Sequence, residues 1–477
     1  MTAHRNPIRE KLDHPVIDSD GHLREFMPVV HDYVTAIAGR DMRRAIEEAE
    51  NRTPRNRLWY GMTEQERRDW RTIRPSFWGT PLRNGGLDHA TALFPDLMYK
   101  RLDEIGIDFA VLFPSRGVVA QTFDDAEMRQ TFCRALNTYY SEIWGTYQDR
   151  MTPVATIPMH TPAEAIAEIT HAVTVLGFKA VMLPSWIKRP LEGIARDHPE
   201  LGRHAWWADT FGIDSAYDYD PVWRCCVELG VMPSFHGPGE GMPFRNSISN
   251  IVNNHVGHFA STADAVCKSL FLGGVPKRFP TLRFLFLEGG VGWARSLLAD
   301  LASHWEKRSL KGLAANTDPR LYDSDLFMRL YDEFGGKLRR DISAEQMAKF
   351  WAGNPQDPTD SFAGLEIETR GDLIARFTEA FYFGCEGDDP VMASAFDSLR
   401  NPGQVRLNAV YGSDIGHWDV VEMNEVLEEL YETIEHGLIT PADLRDFAFT
   451  NPARLWRAAN PAFFEGTSVA EAVAKLP

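Results

Sequence analysis

Histidine and carboxylate side chains are concentrated in one short stretch near the start of the 477-residue chain. The segment PVIDSDGHLRE, residues 15–25, begins with apolar residues typical of a buried strand and then turns polar. Asp20 and His22 are separated by one residue, so both side chains reach the same ion where the strand ends. Imidazole nitrogens and carboxylate oxygens bind divalent metals such as zinc and also transfer protons. The segment therefore predicts one part of a metal or acid–base site.

Several later apolar runs are followed in the same way by a histidine or a carboxylate. VMPSF leads into His236, FLFL into Glu288 and NAVYGS into Asp414. In a parallel β/α barrel the carboxyl ends of all strands open on one face, where active-site residues collect. We therefore predict that these residues converge with Asp20 and His22 on a divalent metal. Taken singly, His236 also fits a core histidine and Asp414 a helix N-cap.

The elements that would position these residues are short apolar runs separated by amphipathic helical patterns. Runs of this kind suit strands that are buried on both faces of a parallel sheet. They lie at 16–18, 109–115, 151–159, 179–185, 231–237, 282–290 and 407–414, with a weaker candidate at 380–386. Their number predicts an α/β protein with a (β/α)8 TIM barrel, although a doubly wound sheet would give the same periodicity.

Three long stretches interrupt this alternation, and we interpret them as insertions on a single domain that spans residues 1–465. They lie at about 42–98, 186–221 and 303–370, and none of them contains a strand-rich core of its own. The first is charged and Trp-rich, the second is rich in aromatic residues, and the third is charged and mostly helical. Residues 466–477 are expected to form a loose C-terminal tail.

The composition argues against several other classes of protein. The chain has 50 Lys and Arg against 67 Asp and Glu, a formal net charge of −17, and no long basic run, so neither nucleic acid nor a membrane surface is an expected partner. No segment approaches the roughly 20 apolar residues of a membrane helix, and the N-terminus lacks the apolar stretch of a signal peptide. Five cysteines without such a signal suit reduced thiols, so we expect a cytoplasmic protein. No GxGxxG motif opens a helix after the first strand, which argues against a nicotinamide dehydrogenase.

The candidate residues lie within longer motifs: VIDSDGH, GVMPSFHGPG, GGVPKRFPTLRFLFLEGGVGWA, and YGSDIGHWD with NPARLW. As a set these motifs resemble the amidohydrolase-related family of the amidohydrolase superfamily, in particular the branch of aminocarboxymuconate semialdehyde decarboxylase and aromatic-acid decarboxylases. The resemblance covers the chain from about residue 15 to residue 456 and leaves the insertions unmatched. It implies a (β/α)8 barrel with one catalytic divalent metal, usually zinc and sometimes manganese. Relatives often pair as homodimers or higher oligomers, which is our expectation here.

Carried over position by position, the resemblance implies that Asp20, His22, His236 and Asp414 hold the metal. Asp20 replaces the first histidine of the family's His-x-His, a change that also occurs in members of this branch. The important departure is Glu288, since decarboxylases of the branch generally have a histidine at this position. Glu288 either carries a proton or orients a neighbouring group, and both interpretations stay open.

Four further residues are candidates for the same site. His255 and His258 have a spacing of three and share a helical face. One of them would take the place of the missing histidine near the substrate. The alternative is that both pack in an ordinary helix. Arg116 follows a predicted strand and would anchor a substrate carboxylate. His417 lies just beyond Asp414 and would hold its carboxylate in place.

Two reactions fit these residues. In a metal-dependent hydrolase, Asp414 would accept the proton of a metal-activated water and Glu288 would donate to the leaving group. In a non-oxidative decarboxylase, the metal would hold the carboxylate of an aromatic or unsaturated acid while an acid protonates the ring carbon. Glu288 favours hydrolysis, and the expected substrate is small, cyclic or aromatic, and carboxylated. Trp207 and Tyr217 would form an aromatic wall over this substrate, the alternative being that they pack against the barrel. An inert binding protein is a third interpretation, which the intact ligand set disfavours.

Overall fold

Eight parallel strands form a closed barrel in the part of the chain that the computed structural model describes. The described residues are 6–52, 58–75, 84–201, 204–239, 242–316, 318, 321–351, 360–417 and 419–477. The barrel strands are β1 (Ile17–Leu23), β2 (Phe109–Pro114), β3 (in two pieces, Met151–Pro153 and Ala155–Thr156), β4 (Val181–Leu183), β5 (Pro233–Phe235), β6 (Phe284–Phe286), β7 (Phe381–Glu386) and β8 (Asn408–Gly412). The weaker candidate at 380–386 is therefore confirmed as a strand.

The strands pair in sequence order, and the last strand returns to the first. Each neighbouring pair from β1 to β8 is parallel, with β3 linking β2 on one side to β4 on the other. The ring closes where the backbone N–H of Asp414 donates to the carbonyl of Asp20 at 2.8 Å and that of His22 donates to Ile415 at 2.7 Å. A doubly wound sheet has two open edges, so this closure excludes it. The predicted TIM barrel is confirmed.

The helices cover the outside of the barrel and fill the insertions. Those of six or more residues lie at Met27–Arg52, Glu64–Trp70, Gly85–Leu93, Pro95–Ile105, Ala126–Trp144, Pro162–Thr174, Glu192–Asp197, Asp220–Leu229, His258–Leu272, Gly292–Arg308, Leu310–Asn316, Ser324–Phe334, Ala344–Trp351, Arg370–Ala380, Val426–Glu435 and Asn451–Ala459. Shorter helices lie at Leu58–Gly61, Gly117–Ala120, Ile251–His255, Val275–Arg278, Pro441–Arg445 and Ala470–Ala474, and a π-turn at Asp446–Thr450. Among the described residues, none of these helices is long and apolar enough to cross a membrane.

Local sequence signals set the ends of the helices that flank the barrel. Thr161 accepts a hydrogen bond from the backbone N–H of Glu164 and precedes a proline in the first turn. Asp125 caps the helix Ala126–Trp144 in the same way. Gly230, with a φ of 65°, ends the helix Asp220–Leu229 in a left-handed conformation. These signals place each helix so that the chain returns to the amino end of the next strand.

Alternate strand residues divide the core into an inner and an outer layer. The outer cluster packs the strands against the helices, and the inner cluster fills the barrel. Inner residues include Ile17, Val111, Met182, Leu285 and Val410, all at 0 % exposure. Because the inner cluster takes up no strand-end polar residue, the carboxyl ends of the strands remain available for a site.

The C-terminal residues close the other end of the barrel. Phe463 and Phe464 contact the ring of Phe109, the first residue of β2, and Val469 and Val473 are buried in the same inner cluster. Residues 466–477, expected to be loose, are therefore packed, because they cover apolar surface that the amino end of the barrel would otherwise expose.

The insertion at 186–221 contains a two-stranded antiparallel ribbon that the pattern did not predict. It pairs Ile187–Pro190 with Trp206–Asp209. The guanidinium of Arg189 donates to Asp209 at 3.0 Å and to the hydroxyl of Tyr219 at 2.8 Å, within a buried network. The other two insertions are helical where they are described, and parts of the Trp-rich segment, residues 53–57 and 76–83, lie outside the described residues.

Candidate metal centre

Five predicted residues meet at the carboxyl end of the barrel. Asp20 and His22 lie in the second half of β1, His236 follows β5 directly, and Glu288 and Asp414 are each the second residue after β6 and β8. The Nε2 atom of His22 lies 3.0 Å from Asp414 Oδ1, 3.2 Å from Glu288 Oε1 and 3.5 Å from Asp20 Oδ1. The Nε2 atom of His236 lies 3.3 Å from Glu288 Oε1 and 3.7 Å from Asp20 Oδ1. Residues almost 400 positions apart therefore share one small volume.

The first strand differs from its prediction in a way that bears on this geometry. Instead of ending at Asp18, β1 continues to Leu23, with a register shift against β2 between Asp18 and Gly21. An irregularity of this kind changes the direction of side chains within a strand. Asp20 and His22 are thus presented from within the strand and not from its tip.

Two of the carboxylates stand on left-handed backbone. Glu288 has a φ of 51° and Asp414 a φ of 52°. Such conformations cost non-glycine residues of order 1 kcal/mol or more and are concentrated at functional sites. Gly412 allows β8 to approach β1 closely, since a Cβ at this position would lie 2.6 Å from the Cβ of Asp20. The backbone is therefore held in unusual conformations where the donor atoms meet.

The facing donor atoms are buried and lack ordinary partners. All five side chains are between 1 and 7 % exposed. Among the described residues, Asp20 Oδ1, His22 Nε2, His236 Nε2 and Glu288 Oε1 have no hydrogen bond of good geometry. A buried polar atom left in this state costs about 1–3 kcal/mol, which a bound cation would remove. These atoms form two overlapping groups, one from Asp20, His22, His236 and Glu288 and one from His22, Glu288, Asp414 and His417, and the ligand atoms of each group lie within 4.8 Å of one another. Both groups combine imidazole nitrogens with carboxylate oxygens, a donor set that fits zinc or manganese.

His417 borders the donor set on one side. Its Nδ1 atom lies 2.6 Å from Asp414 Oδ1 and 3.3 Å from Glu288 Oε1, and its ring stacks on that of His22 with centroids 3.5 Å apart. The predicted proximity of His417 to the Asp414 carboxylate is therefore present in the structure. His417 is buried, so the contact is shielded from water.

The electrostatics of the cluster separate the protonation states of its members. Burial lowers the pKa of His417, but the carboxylates of Asp414 and Glu288 outweigh it and hold that pKa well above its usual value. Burial raises the pKa of Glu288, but the imidazoles of His236 and His22 hold it well below the usual range. Burial and the nearby His417 lower the pKa of His22 to about 4. Burial holds the pKa of Asp414 well above its usual value. Glu288 is thus a carboxylate, while His22 offers a neutral nitrogen.

Asp18 lies beside the donor set and joins the two strands that close the barrel. It is fully buried and accepts hydrogen bonds from Ser413 and from the backbone N–H of Asp20. Burial raises its pKa to about 6.

Two residues predicted to bind substrate, Arg116 and Tyr217, have no described contact with the donor residues. The side chain of Arg116 is exposed, and its backbone N–H donates to Glu25 at 2.8 Å. Glu25, the last residue of the opening segment, also accepts from the hydroxyl of Tyr140 and so supports the loop after β2. Tyr217 is 45 % exposed and lies under the guanidinium of Arg189.

His255 and His258 contact one another but are not among the donor residues. Their ring centroids are 4.7 Å apart. His258 packs on Phe259 at 4.2 Å, and Phe259 packs on the ring of His236 at 5.1 Å. Phe259 therefore lies between this histidine pair and the donor residue His236.

The structure adds aromatic residues that were not selected from the sequence. Phe113 at the end of β2 lies 5.6 Å from the ring of His236 and 6.5 Å from that of His22. Trp186 donates from its indole nitrogen to the carbonyl of Pro238, two residues after His236, and stacks on Trp206. The selected Trp207 is the partly exposed neighbour of Trp206 in the ribbon. Phe113 had a usable signal, since it ends an apolar run on a barrel strand.

Comparisons with known proteins agree with the barrel fold. The family model described as amidohydrolase matches residues 83–337, more than half of the chain. One similar structure is 5-carboxyvanillate decarboxylase from Novosphingobium aromaticivorans, complexed with manganese and 4-hydroxy-3-methoxy-5-nitrobenzoic acid. Its TM-score is 0.52 at 14% identity, and the match covers 93% of this chain and 96% of that chain. Another is dihydroxybenzoic acid decarboxylase from Polaromonas sp. JS666, with bound manganese and the inhibitor 2-nitroresorcinol, with a TM-score of 0.51, 13% identity, and coverage of 95% and 99%. At these identities the two structures show the shared fold, while the match to the family model shows that this chain belongs to the amidohydrolase family.

Proposed function

We propose that the protein is a metal-dependent decarboxylase that acts on an aromatic or unsaturated carboxylic acid. The observation that carries the proposal is the buried ring of facing nitrogen and oxygen donors at the carboxyl end of the barrel. The same fold serves two decarboxylases whose names specify hydroxylated aromatic acids and whose structures hold manganese. This support favours the second of the two reactions considered from the sequence.

The residues that would hold the ion are Asp20, His22, His236 and Asp414. The ion, manganese or zinc, would supply the positive charge that binds the substrate carboxylate and an adjacent hydroxyl or keto oxygen. The rings of Phe113 and Phe259 border the histidines and provide apolar surface for a flat substrate.

Decarboxylation needs a proton at the carbon that loses carbon dioxide. When the carbon–carboxylate bond breaks, its electron pair stays on the ring carbon, and that carbon must take up a proton. His417 is suited to hold this proton, because the carboxylates of Asp414 and Glu288 favour its protonated form, and Asp414, 2.6 Å away, is placed to relay the proton. Proton delivery from Asp414 to the carbon would leave His417 to restore the starting state.

Hydrolysis is the second candidate function, and Glu288 is the observation that favours it. A carboxylate held ionised beside His22 and His236 repels a substrate carboxylate and is able to accept a proton from an attacking water. In that reaction Glu288 would be a base, in contrast to the proton donor considered from the sequence.

Product analysis in ¹⁸O-labelled water separates the two reactions. The protein, loaded with manganese or zinc, is incubated with hydroxybenzoates and unsaturated keto acids and, separately, with related amides and lactones. Release of carbon dioxide without ¹⁸O in the organic product supports decarboxylation. Incorporation of ¹⁸O without carbon dioxide contradicts it and establishes hydrolysis. Asp414→Asn is the control, since either activity should be lost in this variant.

A further inference from the structure

We propose that Glu288 is itself a ligand of the metal, so that the chain supplies five donor atoms, and that this fifth donor strengthens the binding of manganese more than that of zinc. The inference rests on the metal centre of the proposed function but not on the reaction that the centre performs. It concerns the position at which this chain departs from the family it resembles, where a histidine is the usual residue.

The distances within the cluster place Glu288 among the ligands. Two atoms that are each about 2.1 Å from one ion lie about 3.0 Å apart at a right angle and about 3.4 Å apart at the tetrahedral angle. Glu288 Oε1 lies 3.2 Å from His22 Nε2 and 3.3 Å from His236 Nε2. The corresponding distances of Asp20 Oδ1 are 3.5 and 3.7 Å, slightly longer than those of Glu288. By this measure Glu288 belongs to the donor set at least as closely as Asp20.

An ordinary hydrogen bond does not account for the position of Glu288 Oε1. The oxygen is nearly equidistant from three imidazole nitrogens, at 3.2 to 3.3 Å, and it has no hydrogen bond of good geometry among the described residues. Asp414 Oδ1, which lies 2.6 Å from His417 Nδ1, likewise has no hydrogen bond of good geometry among the described residues. An oxygen at similar distances from several donors, without alignment to any of them, is the pattern expected around a shared ion.

The number and type of donors bear on which ion is preferred. Glu288 would complete a set of three carboxylate oxygens and two imidazole nitrogens, from Asp20, Asp414, His22 and His236. Catalytic zinc sites generally use three protein ligands and one open position. Oxygen-rich sets with five or more donors suit manganese, which accepts six ligands and leaves one position here for substrate. Zinc binds most sites of this kind more tightly than manganese does, but it commonly uses four donors, so the fifth donor contributes less to zinc binding than to manganese binding.

The test is metal affinity measured without substrate, so it does not depend on any activity. Metal-free wild type, Glu288→Gln and Asp419→Asn are titrated with Mn²⁺ by electron paramagnetic resonance and with Zn²⁺ by competition with a chelator. Asp419 is a matched control, because its exposed carboxylate acts on Asp414 only through its charge. We expect Glu288→Gln to weaken manganese binding about 100-fold and zinc binding less than tenfold, and Asp419→Asn to change both less than threefold.

Manganese affinity of Glu288→Gln within threefold of wild type would overturn the proposal. So would equal losses for the two metals, because the selectivity would then not depend on Glu288. Pulsed electron paramagnetic resonance of manganese-loaded wild type in ²H₂O counts the water molecules bound to the ion and requires no variant to fold. Because manganese accepts six ligands, at most one bound water supports the proposal and two or more contradict it. If the protein binds manganese as expected but releases no carbon dioxide, only the proposed reaction fails.

Discussion

The carboxylate of Asp18 accepts two hydrogen bonds from Ser413, one from the backbone N–H at 2.9 Å and one from the hydroxyl at 2.6 Å. The two residues are 395 positions apart: Asp18 lies on β1, two residues before Asp20, and Ser413 directly follows β8 and precedes Asp414. One buried side chain thus closes the barrel and fixes the backbone that carries two of the candidate ligands.

Substitution of this contact is predicted to weaken both stability and metal binding. In Asp18→Asn the amide NH₂ cannot accept the bond from the Ser413 hydroxyl, so we expect a loss of about 1–3 kcal/mol in the free energy of unfolding. Urea denaturation of the metal-free proteins measures it. Asp41→Asn, which removes an exposed carboxylate, is the control and should stay within about 0.5 kcal/mol of wild type. Unchanged stability of Asp18→Asn would show that the contact is dispensable.

The histidine of β5 is predicted to be essential for the metal. His236→Ala removes one of the two imidazole donors, and we expect the purified protein to contain less than about a tenth of the metal found in wild type. Plasma mass spectrometry measures the content, and circular dichroism checks the fold. His436→Ala removes an exposed histidine outside the donor set and should retain the full content. Full metal content in His236→Ala would exclude the proposed donor set.

The candidate donors were predictable because each follows an apolar run, and a parallel barrel brings strand ends together whatever their separation in sequence. The register shift between Asp18 and Gly21 was not predictable, because it depends on how β1 pairs with β2. Trp186 was also missed. Its direction is set by a tertiary hydrogen bond to the Pro238 carbonyl, which the local sequence does not encode. The role of Arg116 stays a prediction, since the sequence does not fix the direction of its side chain, which is exposed.

Metal binding is predicted to stabilise the protein more at neutral than at acidic pH. Burial raises the pKa of Asp18 to about 6 and holds the pKa values of Asp20 and Asp414 well above their usual range. For these three groups the metal-free native state therefore binds more protons than the unfolded chain from about pH 4 to at least pH 6, and the stability they contribute falls as the pH rises through this window. A cation binds the ionised carboxylates, so its own contribution rises over the same window.

The measurement is the increase in Tm on adding saturating Mn²⁺ at two pH values. We expect this increase to be at least about 5 °C larger at pH 7.5 than at pH 5. Mg²⁺, which binds imidazole poorly, is the control and should give little shift at either pH. A manganese shift that is equal at both values would contradict the raised pKa values of the buried carboxylates.

Trp186 is predicted to contribute to substrate binding more than to the chemical step. Its indole nitrogen donates to Pro238 at 3.1 Å and its ring stacks on Trp206 at 5.7 Å, so the ribbon holds it beside the loop that carries His236. An aromatic contact contributes about 0.5–1.5 kcal/mol, and Trp186→Ala should therefore raise KM for an aromatic acid by about three- to tenfold with a smaller change in kcat.

Trp186→Phe keeps a ring but not the indole N–H, so recovery of KM in this variant would assign the effect to stacking. Trp70→Ala, at a side chain that is 72 % exposed, is the control and should leave KM unchanged. A fall in kcat at constant KM in Trp186→Ala would instead mean that the ring orients the reacting groups.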